Sequence, residues 1–314
     1  MIVRERPSFW RLFLILRGSV VPRILPQIGA TMVLSCLVVY WTMDPARTPI
    51  SITPAPFTLI GLALAIFLGF RNNAAYDRYW EARKLWGELV IVSRSFAREV
   101  LTLMSLDADA DVLRARQVRL VRKAIAFVHA LKDHLRGIKD REGMEPSLAS
   151  THTSEEIDAF LRSSNVPNAM VTSLGADLLA CRREGLVSEI LLLHLDARLN
   201  GFTHVQAACE RIKTTPIPFV YSLLLHRTAY LYCFLLPFGL VESIGRMTPL
   251  VVGLVSYTFF GLDAVGDEIE EPFGLAPNDL PLSAMARTIE INLLEALGEE
   301  VLPAPMLPVD YNLE

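Results

Sequence analysis

An uncharged apolar stretch in this chain continues, with no helix-breaking residue between, into a segment dense in charges and aromatic rings. Residues 57–70 carry no charged side chain, and residues 71–87 mix arginines and carboxylates with two tyrosines and two tryptophans. A helix that leaves a bilayer and continues into water has this pattern, because amphipathic rings are favoured at the interface. We therefore predict one helix that crosses a membrane over 57–70 and continues to about residue 105. Its apolar part is shorter than the ~20 residues of a lipid-facing span, which indicates a helix that lines something polar or is shielded by its neighbours.

Composition also favours a membrane protein. Hydrophobic residues make up 52% of the 314 residues and charged residues 20%, and the mean hydropathy is +0.36. Soluble domains carry about 25% charged residues, so we predict a membrane part joined to a more polar part. The net charge of −4 is too small to indicate a nucleic-acid partner. The four cysteines are widely spaced and form no C-x-x-C pair, which predicts free thiols rather than a disulfide or a zinc site.

Four apolar segments are candidates for membrane spans, at about 24–43, 57–70, 216–241 and 249–265. Basic residues flank the start of the first span and the end of the second, and the loops after the first and third spans hold one arginine each. Because Lys and Arg concentrate in cytoplasmic loops, both termini and the large middle region are predicted to be cytoplasmic. The predicted organisation is an N-terminal interfacial segment (1–23), transmembrane helices 1 and 2 with a cytosolic extension (24–105), a cytosolic helical domain (106–215), transmembrane helices 3 and 4 (216–265) and a cytosolic C-terminal segment (266–314).

The rest of the chain predicts helices, and no alternating strand pattern of useful length occurs, so the predicted fold class is all-α. The aspartates of residues 107–111 are predicted to end the long second helix. Residues 139–156 are interpreted as a polar loop, residues 185–213 as a helix, and residues 281–298 as a short helix. Apolar residues at three- and four-residue spacing indicate one buried helix face, namely Val118, Leu120, Val121, Ala124, Ile125 and Val128.

Motifs for catalysis or cofactor binding do not occur in the sequence, which has no G-x-G-x-x-G, phosphate-binding loop, G-x-S-x-G or H-E-x-x-H. The aspartates of residues 107–111 imitate the start of a calcium loop. The positions of its glycine and its last glutamate are Val112 and Val118, so a helix break or cap is the better interpretation. The histidines do not cluster in metal-ligand spacing. We therefore predict no enzyme activity, no catalytic residue, no cofactor and no metal site.

Charged groups in and after the later spans need a structural explanation. His226 and Arg227 lie inside the third apolar segment, where an arginine costs at least about 2.5–3.5 kcal/mol. Arg227 is therefore expected to face protein or water, and pairing with a carboxylate or a backbone carbonyl is favoured over a role in an ion path. Glu268, Glu270 and Glu271 follow the fourth span and are interpreted as a solvated helix end.

Leu62, Ile66 and Phe70 recur every fourth residue along one line of the second span. Such a line can pack against another helix. It can also form a hydrophobic constriction that controls ions by excluding water. Periodicity leaves both interpretations open, because this segment is apolar on nearly every side.

Four stretches of the chain carry a family resemblance. They read FRNNAAYDRYWEARKLWG at residues 70–87, CERIKTTPIPFVY at 209–221, HRTAYLYCFLLPFG at 226–239 and EPFG at 271–274. In order, spacing and hydropathy the chain strongly resembles the bestrophin family, specifically its bacterial homologues, over nearly its whole length. The resemblance implies a homopentameric, all-helical ion channel with four transmembrane helices per subunit and one axial pore.

The resemblance also implies the roles of particular residues. Five copies of the second span would line a narrow hydrophobic neck, and Leu62, Ile66 and Phe70 stand at the matching positions. Cytosolic helices would enclose a wider vestibule that ends in a second constriction. Counting back from the Pro-Ile-Pro motif at residues 216–218 puts this cytosolic aperture near Ile190.

One departure from the family pattern concerns calcium. Animal bestrophins follow their Asn-Pro-Phe-Gly type motif with a run of acids that forms a calcium clasp. Here Glu271 stands in place of the asparagine, and the run that follows, residues 275–279, keeps a carboxylate only at Asp279. Calcium needs about 6–8 oxygen ligands, so we predict that calcium does not activate this protein.

The predicted function is passive conduction of monovalent ions, with chloride and a monovalent cation such as sodium equally favoured. The predicted partners are the other copies of a homopentamer, the lipid bilayer and the permeant ions. The predicted location is the inner membrane of a bacterium, with several crossings. A membrane scaffold that carries no current is the alternative, and a membrane enzyme would need a polar catalytic cluster that the sequence does not offer.

Overall fold

The structure is a computed structural model that describes residues 1–4, 8–12, 15–44, 46, 52–104, 109–138, 141–148 and 152–314. These residues form helices and no β-strand, with isolated bridges only at Ile2, Val309 and Asn312. The predicted all-helical class is therefore confirmed. The helices are α1 (Phe9–Leu12), α2 (Val21–Thr42), α3 (Ala55–Leu103), α4 (Ala110–Leu135), α5 (Arg141–Leu148), α6 (Ser154–Leu161), α7 (Val166–Arg183), α8 (Glu189–Thr214), α9 (Phe219–Ile244), α10 (Thr248–Glu270) and α11 (Leu282–Ala296).

Helix α3 is a single helix of 49 residues. It contains both the apolar stretch and the charged aromatic stretch, as the sequence predicted. At 1.5 Å per residue it is about 74 Å long, more than twice the ~30 Å of a bilayer core. A helix of this length has room both for a membrane crossing and for a long extension beyond it.

Three stretches among the described residues are long and apolar enough to cross a membrane: Val21–Thr42, Ala55–Leu103 and Phe219–Glu270. The third contains both α9 and α10, which are joined by the 3-10 turn Gly245–Met247. Gly245 has a φ of +53° in this turn, a value that favours glycine because it has no Cβ.

Two of the predicted loops fall partly outside the described residues. In the loop after the first span these are residues 45 and 47–51, and in the helix break they include Asp107. Asp109 is described and caps α4, since its Oδ1 accepts from the backbone N–H of Asp111 at 2.9 Å. This confirms the cap interpretation for Asp109, because a carboxylate at this position satisfies a helix N–H that has no partner within the helix.

The chain divides into two compact units. The apolar-helix unit comprises Arg4–Tyr79 and Pro216–Glu271, and the polar-helix unit comprises Met1–Val3, Trp80–Thr215 and Pro272–Glu314. Helix α3 contributes its first half to the former and its second half to the latter. Each unit has its own buried core.

In the apolar-helix unit α2 packs against α9 and α10, and α3 adds a stripe of side chains to the same core. The buried side chains of this core are Ile24, Leu64, Leu68, Leu225, Ala229, Cys233, Phe259, Phe260 and Ala264. Glycines bring the helices close together. A Cβ at Gly61 would lie 2.7 Å from the hydroxyl of Tyr232, and one at Gly239 would lie 2.5 Å from the ring of Phe57.

In the polar-helix unit α4 packs against α5, α7, α8 and α11. Phe202 of α8 meets Phe127 of α4 and Phe96 of α3, with ring centroids 5.1 and 5.8 Å apart in edge-on geometry. Such pairs add about 0.5–1.5 kcal/mol each beyond their buried area. The predicted buried face of α4 is confirmed at Leu120, Val121, Ala124, Ile125 and Val128, and Val118 is half-buried.

The prediction of a polar loop over 139–156 is wrong, because α5 and the start of α6 lie in this range. Met144 and Leu148 of α5 are both fully buried, and two apolar side chains one turn apart are enough to hold a short helix on its neighbour. Helix α6 begins with a capping box in which Thr153 and Glu156 exchange side-chain and backbone hydrogen bonds. This signature was present in the sequence.

Candidate functional site

Two opposite stripes run along the apolar half of α3. The stripe that is buried in the unit consists of Phe57, Gly61, Leu64, Leu68, Arg71 and Ala75. At 100° per residue, Leu62, Ile66 and Phe70 lie about half a turn away from it. These three side chains are 62%, 47% and 60% exposed. Packing against helices of the same chain is therefore the role of the first stripe, and the three apolar side chains of the second remain uncovered.

Arg71 follows Phe70 directly and anchors α3 to α10. Its side chain is 2% exposed. Nη1 donates to Oδ1 of Asp263 at 2.9 Å, and Nη2 donates to Asp267 and, at 3.4 Å, to Glu270. Asp263, Asp267 and Glu270 are spaced four and three residues apart and thus share one face of α10. One buried cation of α3 is held by three carboxylates of a single neighbouring helix.

Each of these carboxylates has a second donor in the apolar-helix unit. Oδ2 of Asp263 is 2.7 Å from Nδ1 of His226, and Oδ2 of Asp267 accepts from Arg23 at 2.8 Å. Oε1 of Glu270 accepts from the backbone N–H of Ile217 at 3.1 Å. A buried charge pair is stable only when its remaining hydrogen-bonding capacity is met. The network therefore joins α2, α3, α9 and α10, and Glu270 is not the solvated helix end that the sequence suggested.

The pairing that was favoured for Arg227 does not occur within the described part of one chain. Arg227 is exposed and, among the described residues of one chain, pairs with neither a carboxylate nor a carbonyl. Its neighbour His226 makes the bond to Asp263 instead. Among the described residues of this unit the buried arginine is Arg71, which the sequence analysis did not single out because it stands at the end of the apolar run.

Ile190 lies in the first turn of α8, in the polar-helix unit, and its side chain is 83% exposed. Ser188 caps this helix by accepting from the backbone N–H of Leu191 at 3.2 Å. The sequence prediction identified Ile190 but not the charged side chains on the two turns that follow, His194 and Arg198. Both are directed at Glu99 of α3, a carboxylate that is 1% exposed.

Arg198 holds Glu99 by a two-pronged contact. Nε and Nη2 of Arg198 donate to the Glu99 carboxylate oxygens, each at 2.9 Å, and His194 Nε2 lies 3.4 Å from Oε1. Arg98 donates to the same carboxylate at 2.9 Å. Hydrogen bonding to Glu99 raises the pKa of Arg198 above its ordinary value. Paired bonds of this kind are the strong form of a charge-assisted contact, so the orientation of Arg198 is well defined.

No group of three or more His, Cys, Asp or Glu side chains able to hold a metal ion occurs in the part of the chain that the structure describes. The four cysteines are free. Asp279 is buried, and its Oδ2 accepts from the backbone N–H of Ala276 at 2.7 Å. Its carboxylate is thus engaged in holding the turn that follows the EPFG sequence.

Comparison with known proteins identifies relatives over the whole chain. The family model described as bacterial/fungal bestrophin protein matches residues 1–295. A voltage-dependent anion channel-forming protein of Mesorhizobium japonicum is 46% identical over 99% of this chain and 96% of its own length. The voltage-dependent anion channel-forming protein YneE of Escherichia coli K12 is 42% identical over 98% of both chains.

Solved structures give the same result for the fold. The crystal structure of a bacterial bestrophin homologue from Klebsiella pneumoniae superposes with a TM-score of 0.79 at 39% identity. The match covers 88% of this chain and 100% of that one.

Proposed function

The chain belongs to the bacterial and fungal bestrophin family, and on this premise we propose that it forms an anion channel whose pore is lined by α3. The observation that carries the proposal is the pair of opposite stripes on α3. A pore-lining helix has to pack on one side and leave the other side open to the axis. Leu62, Ile66 and Phe70 lie on the open side.

The three side chains would form a hydrophobic neck when several copies of α3 surround one axis. An apolar neck does not coordinate ions, and its barrier comes from the difficulty of keeping water and a hydrated ion inside a narrow apolar tube. Ile190, exposed on α8, would form a second apolar constriction on the cytosolic side. Both constrictions need several subunits, and the family resemblance implies five.

The proposed topology has α2, the first half of α3, α9 and α10 crossing the membrane. Residues 1–23, the cytosolic extension to residue 105, and residues 106–215 and 266–314 lie in the cytoplasm. This arrangement follows from the distribution of basic residues and predicts a multi-pass protein of a bacterial inner membrane. Arg71, with its three carboxylates, would stand at the cytosolic end of the neck.

Anions are the proposed permeant ions, since the relatives from Mesorhizobium japonicum and Escherichia coli are named as voltage-dependent anion channel-forming proteins. Conduction is passive and independent of calcium in this proposal. The hydrogen bond from the backbone N–H of Ala276 to Asp279 supports calcium independence, because residues 275–278 add no carboxylate beside it.

The experiment is a reversal-potential measurement on purified protein in a planar bilayer under asymmetric sodium chloride. A reversal near the chloride equilibrium potential supports the proposed anion channel, and a reversal near the sodium potential would show a cation channel. Absence of current from protein whose assembly has been confirmed by mass measurement would favour the non-conducting scaffold. Mass measurement in detergent also tests the proposed pentamer.

A triple substitution tests the neck. Leu62→Ala, Ile66→Ala and Phe70→Ala together should widen and wet the constriction and raise the conductance of an intact assembly. The matched control is Ile60→Ala combined with Phe67→Ala, because both are exposed apolar side chains of the same helix and lie about 100–120° around the helix from Ile66. Unchanged current in the triple variant would remove the neck assignment.

A further inference from the structure

The proposed neck offers no means of choosing between anions and cations. Residues 57–70 carry no charge, and an apolar constriction raises the barrier for ions of either sign. A fixed charge elsewhere along the path has to determine the sign. Given the proposed function, described side chains of the polar-helix unit near Ile190 are in a position to supply that charge.

The first turns of α8 place positive charge next to Ile190. His194 follows Ile190 by one turn and Arg198 by two, so the three lie along the same side of the helix. Arg198 is 37% exposed and half-exposed His194 lies beside it. The acidic residues of this stretch, Glu189 and Asp196, lie about half a turn away from the His194–Arg198 side.

Glu99 determines both the orientation and the net charge of this cluster. It is buried and carries −1, while Arg98 and Arg198, which both bond to it, carry +2 in total. These three groups together carry −1 + 2 = +1 per subunit. The contacts from Glu99 engage only Nε and Nη2 of Arg198, which leaves the donors of Nη1 for a passing anion.

A buried carboxylate bonded by two arginines and a histidine can also have a purely structural role. A second cluster in the same unit shows what such a structural role looks like. Arg119 of α4 is likewise 37% exposed and bonds to Glu156 and Asp177 at 2.9 and 3.0 Å. Arg119 lies on a different helix from Ile190. Lys123 joins the same cluster, so its two cations and two carboxylates sum to zero, +2 − 2. The Glu99 cluster differs in its excess positive charge and in its continuity with the exposed stripe of α8.

We propose that Arg198, held by Glu99 and flanked by His194 and Arg98, is a specificity-determining residue that makes the cytosolic part of the path selective for anions. The ligand class is a monovalent inorganic anion such as chloride, attracted by the uncompensated positive charge of each subunit and released without tight binding. Glu99 is a positioning residue that reduces the charge by one.

The test uses two substitutions with opposite expected effects on the chloride-to-sodium permeability ratio. Arg198→Gln removes the excess charge and should lower the ratio by about two- to five-fold, since several subunits each contribute one partly screened charge at the pore. Glu99→Gln keeps the side-chain shape, raises the net charge to +2 and should raise the ratio. Arg119→Gln is the matched control, with the same exposure and the same loss of charge, and should leave the ratio unchanged.

Salt concentration gives an independent readout. The differences between variants should shrink from 0.1 M to 1 M salt, because the screening length falls from about 10 Å to about 3 Å. A purely structural role would change thermal stability without moving the ratio. Should Arg198→Gln fail to assemble, Arg98→Gln carries the same expectation, since Arg98 is exposed and Glu99 keeps its bonds to Arg198.

Ratios that stay at the control value in both charge variants, or that move in the same direction, would overturn the proposal while the wild-type current stands. A wild-type protein that carries no current is a failure of the proposed channel itself. The two failures are therefore distinguishable in one set of recordings.

Discussion

Replacement of Arg71 by methionine should be among the most destabilising single changes in the apolar-helix unit. Methionine keeps much of the side-chain length and removes the guanidinium charge that pairs with Asp263, Asp267 and Glu270. Removing one partner of a buried ion pair costs about 3–5 kcal/mol, because the other partner is left as an uncompensated charge. Each carboxylate here retains a second donor, so we expect a loss near the lower end, about 3 kcal/mol.

The assay is the free energy of unfolding of the purified protein in mixed detergent micelles, followed by tryptophan fluorescence. Arg116→Met is the control, since Arg116 pairs with Glu184 and both side chains are about a third exposed. Exposed pairs contribute about 0.2–1 kcal/mol. Asp263→Asn combined with Arg71→Met should recover part of the loss, because adjacent charges couple by about 0.5–3 kcal/mol.

A loss for Arg71→Met no larger than for Arg116→Met would refute this reasoning. The same variant also has a functional consequence under the proposed function. Arg71 determines which side of α3 faces α10, so its removal frees the helix to rotate and should broaden the distribution of single-channel conductances. A variant with full stability loss and unchanged conductance would show that the apolar contacts of α3 are sufficient to orient it.

Three further predictions concern packing, acid sensitivity and calcium. Gly239→Ala should lower the unfolding free energy by about 1–3 kcal/mol, because its Cβ would lie 2.5 Å from the ring of Phe57; Phe57→Leu should restore part of it in the same assay. Burial lowers the pKa of His152 from 6.5 to about 4, so its stabilising contribution is complete above about pH 6.5 and is lost as the pH falls toward 4. His152→Gln should therefore lose less stability than the wild type on acidification through that window, and equal losses would contradict the assignment. Asp279→Ala should lower the unfolding free energy by about 1–2 kcal/mol through the lost bond to Ala276, with currents the same in calcium and in chelator; a calcium-dependent wild-type current abolished by this substitution would overturn calcium independence.

Much of the architecture was predictable from local pattern. The long α3, the all-helical class and the buried face of α4 follow from hydropathy and from three- and four-residue spacing, which depend only on neighbours in the chain. Helix α5 was not predictable in this way. Its sequence is mostly polar, and it is held in place by two buried side chains, Met144 and Leu148, whose partners lie on another helix. Helix α6 carried a readable local signal in Thr153 and Glu156.

The charged clusters could not be predicted from local sequence pattern, because their members are far apart in the chain. Arg71 meets carboxylates about 190 residues later, and Glu99 meets Arg198 about 100 residues later. Sequence reasoning selected Arg227 as the arginine needing a partner, since it stands in the middle of an apolar segment. Burial depends on which helices pack together, and this packing buries the side chain of Arg71 and leaves that of Arg227 exposed.

Length, hydropathy and the order of four short stretches are properties of the chain alone, and they are enough to identify a helical membrane protein of the bestrophin family. The sequence named Leu62, Ile66 and Phe70 but left their role open, since α3 is apolar on nearly every side. Which side of α3 is covered depends on its contacts with the other helices. Close approach at Gly61 and the bonds of Arg71 hold one side of α3 on α9 and α10, and a rigid helix must then turn the opposite side away.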